Sequence, residues 1–125
     1  MYYRRKILLS LLKEFDGNLR KTDMQKLLFL YCQRQETKSY DFVPYKYGSF
    51  SFQSYADKRT LTKYELLDDC DNWELTDLAK SSTYELKKND KKELDLFKEE
   101  YKDLRGQELV KETYLKFPYY AIKSE

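Results

Sequence analysis

Histidine is missing from this chain altogether, and with it the one side chain that titrates near neutrality without help. General acid–base chemistry at neutral pH and the commonest metal ligand are thereby removed. The only cysteines, Cys32 and Cys70, lie too far apart for a CxxC zinc site and are too few for a disulfide framework, which fits a reducing cytoplasm. Three glycines and two prolines form neither a phosphate-cradling loop nor a low-complexity linker. No apolar run approaches the roughly 20 residues of a membrane span. The basic start Met1-Tyr2-Tyr3-Arg4-Arg5-Lys6 runs into an amphipathic segment, so neither a secretory leader nor a membrane anchor is expected. The expectation is a binding protein, with no catalytic residues, no cofactor and no metal.

What the chain has in place of these is aromatic: 13 Tyr, 7 Phe and 1 Trp make up 17% of its 125 residues, which argues against disorder. That length suits one domain, burying about two-thirds of its unfolded surface. The net charge of +2 hides a division. Residues 1–63 carry 13 Lys or Arg against 6 Asp or Glu, whereas residues 64–125 carry 11 against 16. The basic half is the better surface for a polyanion, although charge runs also simply solvate helices.

Periodicity predicts a helix over Tyr3 to Phe15, with Ile7, Leu8, Leu11, Leu12 and Phe15 on one face, stopped by Asp16-Gly17-Asn18. A second helix is expected from Thr22, whose hydroxyl caps it while Gln25 reaches back, burying Met24, Leu27, Leu28 and Tyr31. Tyr40 to Val43 reads as a short strand closed by Pro44, and Gly48 as a turn residue with positive φ. A third helix follows from about Ser51 to Tyr64, with Phe52, Tyr55 and Ala56 inward and Gln53, Ser54, Asp57, Lys58, Arg59 and Lys63 toward solvent. Leu66-Leu67 and Trp73 to Thr76 flank the acidic turn Asp68-Asp69-Cys70-Asp71 as a hairpin, and Thr76 caps a short fourth helix. Charged and amphipathic helices are expected at about 90–104 and 107–116, then an apolar tail from Phe117 to Ile122 that packs either on this domain, the preferred expectation, or on a partner. The fold class is mainly α: a helix-turn-helix or winged-helix-like core over about residues 3–80, a small antiparallel hairpin, and additional C-terminal helices over about 90–125.

Two stretches carry a family resemblance. Thr22-Asp23-Met24-Gln25-Lys26-Leu27-Leu28-Phe29-Leu30 followed by Tyr45-Lys46-Tyr47-Gly48-Ser49-Phe50-Ser51 resembles the "KLQKLLYL … KYGPFS" pattern of the Panacea domain, the SocA-like antitoxin-associated family. Ser49 stands where that family usually has Pro. Trp73-Glu74-Leu75-Thr76-Asp77-Leu78-Ala79 is similar to the "YxLTxxG" wing-to-helix signature of small winged-helix regulators. The resemblance implies a helical protein of bacteria, archaea or their phages acting in regulation, toxin neutralisation or defence.

Two functional classes follow. For duplex DNA, the third helix offers Gln53, Ser54, Lys58, Arg59 and Lys63, with Arg4, Arg5, Lys6 and Lys46 as further phosphate contacts. The aspartates of the turn oppose this, because a phosphate backbone repels them. For a protein partner or a homodimer, Tyr45, Tyr47, Tyr119 and Tyr120 supply large contact area at low entropic cost. Phe42, Phe50 and Phe52 are expected in the core, and Cys32 as a small buried hydrophobe.

Overall fold

The N-terminal apolar spacing produces helix α1 (Tyr3–Glu14), which buries Ile7, Leu8, Leu9, Leu11 and Leu12. The computed structural model describes Met1–Tyr45 and Gly48–Ala121. Asp16 and Gly17 reverse the chain with φ of 71° and 74°, and strand β1 (Asn18–Leu19) leads into α2 (Lys21–Cys32). The expected cap does not form: Arg20 is the N-cap residue of α2 and no side chain caps it. Every residue from Asp23 to Cys32 is buried, so α2 is a central helix enclosed on all sides rather than a one-faced amphipathic one. Its polar members are therefore each matched inside. Asp23 accepts from the Gly106 amide at 2.8 Å, and Lys26 donates to the Ser49 carbonyl at 3.2 Å. Gln25, expected to reach back toward Thr22, instead accepts from the Ser51 amide at 2.9 Å and donates to Ser54 Oγ at 2.8 Å.

Strands β2 (Val43–Tyr45) and β3 (Gly48–Phe50) form an antiparallel hairpin that pairs Val43 with Phe50, Pro44 with Ser49 and Tyr45 with Gly48. Pro44 thus lies within a strand that the sequence reading closes before it, which an edge strand tolerates because a missing donor there breaks no central ladder. Gly48 has φ of 94°, and a Cβ placed on it would stand 2.9 Å from a ring carbon of Tyr114. Glycine meets a conformational and a steric demand at once.

Helix α3 (Phe52–Lys63) follows, then the extended pair Leu66-Leu67 and β4 (Trp73–Glu74). Leu67 bridges Leu75, and the Asp68 amide donates to the Glu74 carbonyl at 2.9 Å, so the expected hairpin forms. It gains a third member that the sequence reading lacks: β1 pairs with β4, Asn18 with Glu74 and Leu19 with Trp73. The order of helices and this pairing are winged-helix-like, with residues 33–51 inserted between α2 and α3. Thr76 caps α4 (Asp77–Ser81) by accepting from the Ala79 amide at 3.2 Å.

Helices α5 (Lys88–Tyr101) and α6 (Gly106–Lys116) close the open sides of α2, burying Leu94, Phe97, Tyr101, Leu109 and Thr113. The chain is mainly α with small antiparallel pairings. A 3-10 helix (Pro118–Ala121) then brings Phe117 and Tyr120 onto Phe29, with ring centroids 5.1 and 4.6 Å apart. The aromatic tail docks on the chain's own core as expected. Ile122 lies outside the described residues. No helix among the described residues is long and apolar enough to cross a membrane.

Candidate interaction face on the third helix

The register of α3 is set by what it buries. Ser51 caps it, accepting from the Ser54 amide at 3.2 Å, while Gln25 holds both serines from below. One turn on, Asp57 is only 1% exposed and carries a cluster of donors: Arg4 Nε at 2.7 Å, Arg5 Nε at 2.9 Å and the Tyr40 hydroxyl at 2.7 Å. Burial by itself would raise the Asp57 carboxyl, but the hydrogen bonds from Arg4, Tyr40 and Arg5 outweigh it and hold its pKa below the ordinary value. Leu61 completes the inward stripe, Ser54, Asp57 and Leu61. At 3.6 residues per turn the opposite ridge is Phe52, Ala56, Arg59 and Lys63.

That ridge reverses part of the sequence reading. Phe52, expected inside, is 60% exposed, and it joins a connected row of rings. Tyr45, itself 40% exposed, lies 5.1 Å from Phe50 and 5.7 Å from Phe52. Phe50 lies 4.8 Å from Phe52 and stacks on Tyr55 at 5.2 Å with planes 9° apart. Tyr55 in turn meets the buried Trp73 edge to face at 5.2 Å. The row runs from the β2–β3 hairpin across the first turns of α3 to β4. Phe50 and Tyr55 are half-buried, and Val43 adds exposed apolar surface at the hairpin end.

Several residues expected on a phosphate-binding surface are committed elsewhere. Ser54 is fully buried. Arg4 and Arg5 are tied to Asp57, with the Tyr2 ring 4.7 and 4.6 Å from their guanidinium carbons. Burial pulls the pKa of Lys58 down, and its ammonium donates to the Cys70 and Asp71 carbonyls at 2.9 and 3.1 Å while lying 5.2 Å from the Trp73 ring. Arg4 and Arg5 compensate a carboxylate that folding takes out of water, whereas Lys58 ties down the backbone of an exposed turn. Lys6 is half-buried on α1. Gln53, Arg59 and Lys63 are exposed, and neither Arg59 nor Lys63 makes an ion pair with a described residue. Lys46 and Tyr47 lie outside the described residues.

Of the other expected contact tyrosines, Tyr119 is 62% exposed, whereas Tyr120 packs on Phe29. Phe52 is the residue the sequence reading misses as surface, while Tyr55 packs partly on the core as expected and Phe50 is half-buried. The available signal was the polar stripe Ser54 and Asp57, three residues apart, which fixes the outward ridge once Arg4 and Gln25 are recognised as its partners. Among the described residues no group of three His, Cys, Asp or Glu is placed to hold a metal ion. Cys32 is fully buried, and burial pushes its thiol up to about 12, which leaves it without thiolate character at neutral pH.

Compared with known proteins, the chain matches no family model, no curated protein and no solved structure. The Panacea resemblance therefore rests on its quoted residues. Four of them meet in space: Gln25 and Lys26 hold Ser51 and Ser49, and the Gln25–Ser51 bond helps orient α3 from beneath.

Proposed function

We propose that this chain is a winged-helix-like binding module that captures a protein partner through the aromatic face of the hairpin and α3. The observation that carries the reading is the row Tyr45, Phe50, Phe52 and Tyr55, a connected aromatic surface with one ring 60% exposed. Contiguous apolar surface of this kind marks interaction sites, and aromatic residues dominate the energetics of such contacts. The resemblance to an antitoxin-associated family favours a partner in regulation or defence, and two free thiols, Cys32 and Cys70, suit a cytoplasmic setting.

A photo-crosslinking residue at position 52, compared with one at the exposed Leu96 of α5, tests the reading in cells. The expected result is a discrete protein adduct from position 52 alone. Identical adducts from both positions would sink the idea.

A second reading is duplex DNA, favoured by the exposure of Gln53, Arg59 and Lys63 on α3. It predicts binding that collapses between about 50 and 200 mM salt and is abolished by Arg59→Glu with Lys63→Glu. The acidic turn and the commitment of Arg4, Arg5 and Lys58 to internal partners count against it.

A further inference from the structure

The outward ridge of α3 changes character along its length, and this indicates the chemistry of the occupant. Its N-terminal end is apolar, with Phe52 flanked by Tyr45 and Phe50, and its C-terminal end is cationic, with Arg59 and Lys63 exposed and without a described ion-pair partner. At 1.5 Å per residue these two charges stand about 10 and 16 Å along the helix from Phe52. An extended peptide covers those distances in about three and five residues. Resting on the protein-binding reading above, we infer that the occupant is an acidic peptide segment, with an aromatic or large aliphatic side chain on Tyr45, Phe50 and Phe52 and carboxylates on Arg59 and Lys63.

The rest of the face narrows the choice. Lys58 holds the acidic turn against the Tyr55 side of α3 through the Cys70 and Asp71 carbonyls, which sets Asp68, Asp69 and Asp71 along one flank. A carboxylate straying that way is repelled, so the acidic residues of the partner are accepted along the ridge only. A nucleic-acid strand, with one phosphate per nucleotide, would have to pass the same aspartates with Arg59 and Lys63 as the exposed cations of α3 among the described residues. A peptide places charge where it is wanted and leaves it out elsewhere.

The test is selection of a random dodecapeptide display library against the full chain at about 150 mM salt, where screening leaves only close charge pairs effective. Enriched peptides are expected to carry a large apolar residue with Asp or Glu three to five positions away. Their affinity should fall about tenfold or more for Arg59→Glu with Lys63→Glu, and also for Phe52→Ser. Both variants change exposed side chains, and circular dichroism of each is the check that it folds. Enrichment without acidic residues, affinity indifferent to the charge reversal, or no enriched peptide at all overturns the inference. Acidic peptides that bind regardless of Phe52→Ser overturn the underlying reading of this face as well. Oligothymidylate run in parallel, if it binds tighter than any selected peptide and loses binding on charge reversal, replaces the peptide with single-stranded nucleic acid.

Discussion

Asp57 is a carboxylate taken out of water and kept ionised by two guanidinium groups and a phenol, so its loss leaves two part-buried cations uncompensated. Replacing it with Asn is expected to destabilise the fold by about 3 kcal/mol, the lower end for breaking a buried pair because Arg4 keeps partial exposure. Urea denaturation measures this. Because the folded pKa is depressed, the stabilisation is complete above the unfolded carboxyl range and is lost as pH falls below about 4. Lys26 has the opposite sign. It is 2% exposed, and burial lowers its pKa from 10.5 to about 8, so the fold carries an unfavourable ammonium at neutral pH and is relieved of it as pH rises from about 8. Melting temperature should climb between about pH 8 and 10, then turn over, since burial raises Tyr3 to about 12 and ionising tyrosine favours the unfolded chain. Lys26→Met should flatten most of the climb, leaving the smaller part due to Lys58, and gain about 1 to 2 kcal/mol at pH 7, the relief from burying charge exceeding the lost bond to the Ser49 carbonyl. A climb in Lys26→Met as steep as in the parent would show that Lys26 is not the titrating group. Neither residue's burial was legible in the sequence. Asp57 and Arg4 are 53 positions apart, and a polar residue at an inward position looks like a surface residue until its partner is found.

Among elements, the long helices were readable because their apolar spacing matches 3.6 residues per turn, and α5 and α6 lie close to where that spacing puts them. β1 was not: two residues offer no period, and its pairing with β4 is decided by tertiary proximity. Helix α3 was placed correctly but turned to the wrong face, because Phe52 outweighs Ser54 in any hydrophobicity argument although Gln25 and Arg4 pull Ser54 and Asp57 inward. Gly48 opens β3 at its pairing with Tyr45. Gly48→Val should cost more than about 1 kcal/mol, combining a positive φ with a contact against Tyr114, and Gly48→Ala should show much of the loss. Thermal melts of the two variants check this, and an unchanged midpoint in both would mean that the corner yields. Such a corner carries the aromatic face, so the same variants should also weaken partner capture.

For the molecule as a whole, the C-terminal segment completes the enclosure of α2. Removing Phe117 to Glu125 strips two rings from Phe29, and a loss of about 2 to 4 kcal/mol is expected from that exposure. The truncated chain should melt earlier at every protein concentration. A midpoint unchanged from the full chain would assign the segment no part in stability. The apolar composition of the tail announced that it would be covered, while the identity of Phe29 as its receiver depended on α2 being enclosed on every side, which one-faced periodicity does not reveal.

The pairing of β1 with β4 and the covering of α2 by α6 together impose an order of events on a growing chain. A ribosome delivers α1 and α2 before their partners: the strand that pairs with β1 comes more than 50 residues after it, and the rings that cover Phe29 come later still. Contacts this distant in sequence slow folding, since the loop between them must close before they contribute. Until α6 and the rings of Phe117 and Tyr120 have been made, α2 has no complete shelter. During that interval Phe29 and its neighbours are open to chaperones, to proteases and to other nascent copies.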